Sequence, residues 1–190
     1  MTTKIFISAN ELLDDAFELG NRVLDSSFRP DLVIGLWRGG STVAIAIHEL
    51  LSWSGIVVDH IPVRTQLYTG LDQRNSNVEI VGLEYVATRT DQFNRLLIVD
   101  DVFDTGTTML TLIETLYGLY QQSEPPKVRI ATPWYKPQRN KTDLIPDYYL
   151  RTTDAWLVFP HELCGIDRRE LLSHKPGIDK IRRQVPGSRP

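Results

Sequence analysis

The sequence predicts an α/β fold whose mostly parallel central sheet is flanked by helices. Short apolar segments alternate with segments of helical periodicity, as in successive strand–helix–strand units. Residues 31–36 and 96–99 have the nearly continuous apolar composition of strands buried on both faces of a parallel sheet. A glycine-containing turn and a helical pattern follow each of these strands. Open α/β sheets bind their ligands at such turns, at the carboxyl ends of the strands.

The length and composition of the chain favour a single domain, residues 1–190, because no linker, repeat or low-complexity tract divides it. A net charge of −3 argues against a strongly basic nucleic-acid binder. No segment has the roughly 18 consecutive apolar residues of a membrane span. The single cysteine, Cys164, and the lack of a signal-peptide pattern predict a cytoplasmic protein. We expect neither nucleic acid nor membrane among its partners, and we expect residues 175–190 to form a tail.

Three helices are predicted from hydrophobic periodicity. The first begins near Ser8, which has capping-box spacing to Glu11, and ends before Phe28. The second occupies residues 42–53 and the third follows residues 105–108. Side chains expected to face the core are Val43, Ala46, Ile47 and Leu50 in the second helix, and Leu110, Ile113, Leu116, Tyr117 and Tyr120 in the third.

The segment between these helices contains a long polar connection. Residues 56–64 read as a strand with an edge-type proline, Pro62, and residues 78–85 alternate like an exposed strand. Residues 65–77 between them are polar and show no periodicity. Such a connection is typical of a loose hairpin or of a lid over a ligand.

Residues 96–109 (LLIVDDVFDTGTTM) place three acidic residues at the end of a buried strand: Asp100, Asp101 and Asp104. A Thr-Gly-Thr-Thr turn then opens a helix, whose unpaired N–H groups and hydroxyls suit a phosphate. The carboxylates suit a vicinal diol or a divalent cation bound to phosphates. A sugar phosphate therefore fits both parts of the stretch.

Two alternatives remain open for this stretch. An apolar strand followed by two aspartates is also found in the Walker B motif. Its Walker A partner would be residues 35–42 (GLWRGGST), but Ser41 stands where that motif needs lysine. The acidic residues could also be solvated loop residues around an ordinary turn.

A second anion site is indicated after residues 31–36, where the turn carries a cation beside paired glycines. Arg38 supplies the charge, and Gly39 and Gly40 allow close approach of the backbone to a ligand. The alternative is an ordinary turn with a surface arginine.

Residues 96–109 resemble the phosphoribosyl pyrophosphate (PRPP) motif of the type I phosphoribosyltransferases. The resemblance implies that Asp100 and Asp101 bind the ribose hydroxyls and that Asp104 accepts a proton from the reacting base. It places four residues around the 5′-phosphate: Thr105, Gly106, Thr107 and Thr108.

The same resemblance implies roles for the turn at residues 37–39 and for the connection at residues 65–77. It puts Arg38 and Gly39 on the pyrophosphate, with a cis peptide expected at Trp37–Arg38. Residues 65–77 match the position of the family's mobile loop. The family often has a Ser-Tyr pair there, whereas Tyr68 of this chain follows Leu67.

Residues 131–162 resemble the base pocket of the 6-oxopurine phosphoribosyltransferases. The resemblance implies that Lys136 donates to the purine O6, that Trp156 stacks on the ring, and that the backbone of Leu157 binds the far edge of the base. Glu162 matches an acidic residue near the metal and the pyrophosphate, so Mg²⁺ is expected on Asp101 and Glu162. His161 is read as structural. A small hood over the strand ends is expected from residues 131–165 with the N-terminus.

The function implied is transfer of the phosphoribosyl group from PRPP to hypoxanthine, guanine or xanthine, for purine salvage. Adenine should be a poor substrate, because its 6-amino group would face the donor Lys136. By analogy with the family we expect a homodimer or homotetramer. Two alternatives are a regulator that senses PRPP or nucleotides on the same fold, and a phosphoribosyltransferase for another base.

Overall fold

The computed structural model describes residues 3–69, 76–121 and 124–180. Nine strands and five helices are present in this part of the chain, and a 3₁₀ turn follows at Ile178–Lys180. In chain order they are β1 (Lys4–Phe6), α1 (Ala9–Asp25), β2 (Leu32–Trp37), α2 (Gly39–Trp53), β3 (Asp59–Thr69), β4 (Ser76–Val81), α3 (Glu84–Ala87), β5 (Arg95–Val99), β6 (Val102–Phe103), α4 (Thr107–Leu119), β7 (Lys127–Tyr135), β8 (Tyr148–Thr152), β9 (Trp156–Val158) and α5 (Arg168–His174).

The central sheet confirms the predicted fold class. Its strand order is β4-β3-β2-β5-β7-β6, and β8 pairs with β7. All neighbouring strands in this sheet pair in parallel except β3 and β4, which form an antiparallel pair. The two strands predicted to be most deeply buried, β2 and β5, lie next to each other at its centre. Their carboxyl ends therefore open at one edge of the sheet.

Alternating side chains of β2 and β5 supply both faces of the core. Val33 and Leu97 pack on one face with α1 and α2. Ile34 and Ile98 pack on the other face with α4 and α3. Because both faces are covered, the strands are apolar throughout, as the sequence indicated.

A second, two-stranded sheet joins segments that are far apart in sequence. β1 pairs in parallel with β9, so that Lys4 lies opposite Trp156 and Phe6 opposite Val158. Both segments belong to the region from which the hood was predicted. The helix α5 is held to this sheet by an ion pair between Lys4 and Glu170, at 2.7 Å, and by stacking of Phe6 on His174.

Several predicted boundaries need correction. The capping box of Ser8 and Glu11 is confirmed. The second helix starts at Gly39 rather than residue 42, because its first turn packs against the end of β5. The strand predicted at residues 78–85 ends at Val81, since Gly82, with φ 109°, turns the chain into α3.

The polar connection at residues 65–77 is shorter than predicted. Residues 65–69 continue β3 and residues 76–77 begin β4, and the backbones of these segments pair with each other. Residues 70–75 lie outside the described residues, so the lid stays a prediction. Pro62 lies before the first β3–β4 pair, Arg64 with Val81, and therefore on a locally unpaired edge.

Two helix faces were also predicted with errors. In α2 the buried side chain near the end is Leu51 rather than Leu50. In α4, Leu110 is only partly buried and Tyr117 is exposed. The buried stripe of this helix and its end consists of Met109, Leu112, Ile113, Leu116 and Tyr120.

No helix among the residues that the structure describes is long and apolar enough to cross a membrane. The predicted tail begins with residues 175–180, which follow α5 and include the 3₁₀ turn. Residues 181–190 lie outside the described part of the chain.

Candidate active site

The predicted acid pair lies where β5 reaches the edge of the sheet. The backbone N–H of Asp100 donates to the carbonyl of Ala131 on β7, at 3.2 Å, so the residue is still held by the sheet. The backbone N–H of Asp101 donates to Oδ1 of Asp100, at 2.9 Å. This bond fixes the Asp100 carboxylate beside the turn.

Burial makes ionisation of both carboxyl groups unfavourable. It raises the pKa of Asp100, and the negative charge of Asp101 raises it further. Burial and the neighbouring charge of Glu162 raise the pKa of Asp101 to about 6. A cation in this region would relieve the repulsion, which is expected of a site for a metal ion or a cationic reaction centre.

The turn after β2 lies directly against the acid pair. The peptide bond between Trp37 and Arg38 is cis, as the family resemblance predicted. A Cβ atom on Gly39 would lie 1.7 Å from Oδ2 of Asp101, and one on Gly40 would lie 2.5 Å from the carbonyl oxygen of Val99. Only glycine fits at these two positions, and the glycines bring the two predicted anion turns together.

The predicted phosphate turn forms a pocket of about 280 Å³ at the start of α4. Gly106 has φ 75°, the left-handed conformation that glycine adopts without strain, and is the N-cap of α4. It offers no side chain to the first helical N–H groups, which leaves them for a ligand. The pocket is lined by polar and apolar residues, namely Asp100, Val102, Phe103, Asp104, Thr105, Gly106, Thr108 and Met109.

Thr107, the remaining residue predicted at the phosphate, is the first residue of α4. Its carbonyl accepts a hydrogen bond from the Thr111 hydroxyl, at 3.0 Å. Thr107 is thus in the correct turn, although its side chain is not among those that line the pocket.

Asp104 lies between this pocket and a larger cleft of about 490 Å³, and lines both. Nε of Arg139 donates to Oδ1 of Asp104 at 2.6 Å, and Nζ of Lys136 lies 3.6 Å from Oδ2. Lys136 is 6% exposed, so its charge is buried and is balanced chiefly by Asp104.

The larger cleft brings together the residues predicted to bind the base. Lys136 reaches it from the end of β7, and Trp156 and Leu157 reach it from β9. Leu157 is buried and its backbone pairs with Ile5, whereas Trp156 is 45% exposed. Asp101, Val102, Asp104, Arg139, Asp154, Ala155, Phe159 and Glu162 complete the lining.

The segment after β9 brings Glu162 and His161 to the acid pair. Oε2 of Glu162 accepts the backbone N–H of Phe159 at 3.0 Å, which fixes the carboxylate. Nε2 of His161 lies 3.7 Å from Oδ2 of Asp101. Burial lowers the pKa of His161, and the charge of Arg38 lowers it further. The negative charge of Glu162 acts in the other direction, so the charges of Arg38 and Glu162 both reach His161.

Three residues at the site were missed by sequence reasoning. Arg139 contacts Asp104. His161, which was read as structural, contacts Asp101. Nζ of Lys4 lies 5.2 Å from the ring centroid of Trp156. The position of Arg139, three residues after Lys136, was the available signal for it, whereas no local pattern indicated Lys4.

The sequence model of the phosphoribosyl transferase domain family matches residues 8–164. The chain belongs to this family. The match spans β2, β5 and β9, and hence all the elements that carry the predicted PRPP and base residues. The prediction that the chain is a type I phosphoribosyltransferase is confirmed, and the Walker-type alternative is excluded.

Similar proteins cover nearly the whole phosphoribosyltransferase domain. Xanthine phosphoribosyltransferase 1 of Saccharomyces cerevisiae is 26% identical, over 93% of this chain and 98% of the relative. A hypoxanthine-guanine phosphoribosyltransferase of Staphylococcus epidermidis is 31% identical, over 95% and 94% respectively. The crystal structure of a purine phosphoribosyltransferase from Pyrococcus horikoshii superimposes with a TM-score of 0.67 and 27% identity, over 86% of this chain and 97% of that chain.

Proposed function

We propose that the chain transfers the 5-phosphoribosyl group from PRPP to a 6-oxopurine, which is hypoxanthine, guanine or xanthine. The products are the nucleoside 5′-monophosphate and pyrophosphate, so the reaction serves purine salvage. One observation carries the proposal: Asp104 lies between the pocket at the N-terminus of α4 and a cleft that contains a buried lysine and an exposed tryptophan. The names of the similar proteins support the same substrates.

The two pockets divide the substrates between them. The 5′-phosphate binds at the N-terminus of α4, on the residues Thr105, Gly106, Thr107 and Thr108. Asp100 and Asp101 accept hydrogen bonds from the ribose hydroxyls. The pyrophosphate faces Arg38 and Gly39, because their turn packs against Asp101.

The base occupies the cleft between Lys136 and Trp156. The indole ring of Trp156 provides a stacking surface, and the backbone of Leu157 binds the far edge of the purine. Lys136 donates to O6. A 6-amino group in that place would face a buried donor without an acceptor, so adenine is rejected.

In the reaction, a ring nitrogen of the base forms a bond to the anomeric carbon as the bond from that carbon to pyrophosphate breaks. Positive charge develops on the ribose and is stabilised by the carboxylates of Asp100 and Asp101. Asp104 accepts the proton that the five-membered ring of the purine loses. Arg38 stabilises the negative charge of the leaving pyrophosphate.

Mg²⁺ is the proposed cofactor, with Asp101 and Glu162 as its protein ligands. Carboxylate oxygens are hard donors that suit this ion, and the two groups are close enough for the charge of Glu162 to raise the pKa of Asp101. Within residues 3–69, 76–121 and 124–180 no three His, Cys, Asp or Glu side chains are placed to hold a metal ion. The substrate and water would supply the other ligands. When bound, Mg²⁺ neutralises part of the pyrophosphate charge.

Self-association is supported by exposed apolar side chains on and beside α2, namely Trp37, Ile45, Trp53 and Val57. Trp37 and Ile45 line a groove of about 350 Å³ between α2 and β3, and Trp53 and Val57 are 86% and 96% exposed. Apolar surface of this kind is typical of protein interfaces. Light scattering should give a multiple of the chain mass, and Ile45→Glu should lower it. The predicted cytoplasmic location rests on the single cysteine, Cys164, and stays a prediction.

The decisive experiment measures nucleotide formation from PRPP and Mg²⁺ with hypoxanthine, guanine, xanthine and adenine in turn. We expect turnover of at least one 6-oxopurine and none of adenine. Asp104→Asn should lower kcat about a hundredfold or more, because general acid–base catalysis contributes on this scale. If PRPP binds but no base reacts, the proposal is wrong and the regulator on the same fold is favoured.

A further inference from the structure

Asp104 is held by a cation that the proposed reaction has not used. Nε of Arg139 donates to Oδ1 of Asp104 at 2.6 Å, which is within the range of a strong charged hydrogen bond. Lys136 is farther away, at 3.6 Å from Oδ2. Arg139, rather than Lys136, therefore determines the orientation of the carboxylate.

The turn that carries Arg139 is well fixed. The backbone N–H groups of Arg139 and Asn140 both donate to the carbonyl of Lys136, at 3.1 and 3.2 Å. The side-chain amide of Asn140 donates to the carbonyl of Leu144, at 2.7 Å, and accepts the backbone N–H of Thr142, at 2.9 Å. The position of Arg139 relative to Lys136 is thereby set by the backbone.

The same turn also rests on the phosphate turn. The N–H of Lys141 donates to the carbonyl of Thr105, at 2.9 Å. A Cβ atom on Gly106 would lie 2.4 Å from the hydroxyl of Thr142. The turn at residues 136–142 therefore connects Asp104, the phosphate pocket and the base cleft.

We propose that Arg139 is a positioning residue for Asp104 and a determinant of the rate of proton removal from the base. Its charged hydrogen bond occupies Oδ1 and leaves Oδ2 on the side of Lys136 and the cleft. Without this bond the carboxylate can rotate about its side-chain torsions, and the fraction of bound bases with an aligned acceptor falls. This inference rests on the proposed function, since it assigns a hydrogen-bond partner to Asp104, the proposed proton acceptor.

The test is steady-state kinetics of Arg139→Gln with PRPP and the best 6-oxopurine. We expect kcat to fall about tenfold or more, because part of the catalytic contribution of Asp104 as a positioned proton acceptor is lost. The dissociation constant for PRPP should stay within about threefold, because Arg139 does not line the phosphate pocket. Arg139→Lys should recover part of kcat, since it keeps the charge but lacks the planar fork.

A double-mutant cycle separates positioning from a general structural role. If Arg139 acts through Asp104, the double variant Asp104→Asn with Arg139→Gln should be no slower than Asp104→Asn alone. The matched control is Arg95→Gln. Arg95 resembles Arg139 in exposure, at 52% against 55%, and it also pairs with an aspartate, Asp31, at 3.5 Å. It differs in position, because it lies at the opposite end of β5 from the acid pair. This control should keep wild-type kinetics.

Three results overturn the inference: unchanged kcat in Arg139→Gln, additive losses in the cycle, or a large loss of PRPP affinity. Each of these leaves the proposed function intact if the wild-type chain turns over a 6-oxopurine and Asp104→Asn is about a hundredfold slower. Absence of turnover in the wild type overturns the proposed function itself, so the two failures are distinguishable.

Discussion

The two halves of the candidate site are built in different ways. The phosphate half, residues 100–108, is one uninterrupted strand–turn–helix segment at the end of a central, buried strand. The base half combines the end of β7, the strand β9 and the segment that carries Glu162. β9 is itself supported by β1, from the opposite end of the chain. Local sequence defines the first half, whereas long-range contacts define the second.

This difference suggests a division of tasks. A phosphate and a ribose are the same in every reaction with PRPP, and a fixed local motif on the central sheet is sufficient to bind them. The base varies, and the residues around it come from strand ends and loops that can change without altering the central sheet. Asp104 and the turn at residues 136–142 join the two halves.

Gly39→Ala should break the phosphate half with the largest effect. The new Cβ atom would lie 1.7 Å from Oδ2 of Asp101 and would displace either the turn or the carboxylate. We expect kcat/KM for PRPP to fall about a hundredfold, because displacements of about 1 Å cost that much in preorganised sites. Purine binding should change less in equilibrium dialysis, because the nearest atoms to the new Cβ belong to Asp101 and not to Lys136 or Trp156.

The matched control for this substitution is Gly118→Ala, on α4. A Cβ atom there meets nothing within 4 Å, and alanine is the better helix former. This variant should keep its activity and be slightly more stable. Equal losses of activity in the two variants would contradict the steric argument.

Asp101→Asn tests how much folding stability is lost when the buried carboxyl group of Asp101 ionises. The pKa of Asp101 is raised to about 6, so the folded chain retains a proton that the unfolded chain loses near pH 4. The contribution of this group to stability therefore falls as the pH rises from about 4 to about 6, and is lowest above about 6. In buffer without Mg²⁺, the variant should exceed the wild type at pH 8 by up to about 3 kcal/mol, and by less at pH 5.

Urea denaturation at the two pH values measures this difference. Asp91→Asn, at an exposed position, is the control and should not change stability with pH in this way. A variant that is less stable than the wild type at pH 8 would show that Asp101 is stabilised by its surroundings rather than strained by them.

Trp156→Ala addresses the base half and should have the smallest effect of the three. Loss of stacking on an aromatic side chain costs about 1–3 kcal/mol, so KM for the base should rise about tenfold. The KM for PRPP should not change, because Trp156 does not line the phosphate pocket. Tyr117→Ala, a similarly exposed aromatic residue on α4, is the control. A parallel rise in both KM values would contradict the separation of the two halves.

The contrast between the halves also explains what the sequence could predict. The apolar run of β5, its acidic residues and the following helix are adjacent in sequence, so the strand and the helix were both predicted correctly there. The adjacency of Gly39 and Asp101 arises instead from the pairing of β2 with β5. Only the family resemblance indicated that these two turns meet.

Errors in the prediction have a common physical origin. The first turn of α2 is Gly-Gly-Ser-Thr, a poor helix former by propensity, and packing against the end of β5 makes it helical. The contact of Arg139 with Asp104 and that of Lys4 with Trp156 join residues 35 and 152 positions apart. Periodicity and turn chemistry report on neighbours in the sequence, so they carry no information about such pairs.

The pairing of β1 with β9 has a consequence for synthesis of the chain. Once Thr142 has been added at the ribosome, all the residues of the phosphate half and of the turn that supports it exist in the nascent polypeptide. β1, although among the first residues made, has no strand to pair with until Val158 follows. Closing so long a loop is entropically costly and slow. The β9 wall of the larger cleft is therefore completed last, after the segment proposed to hold the sugar phosphate.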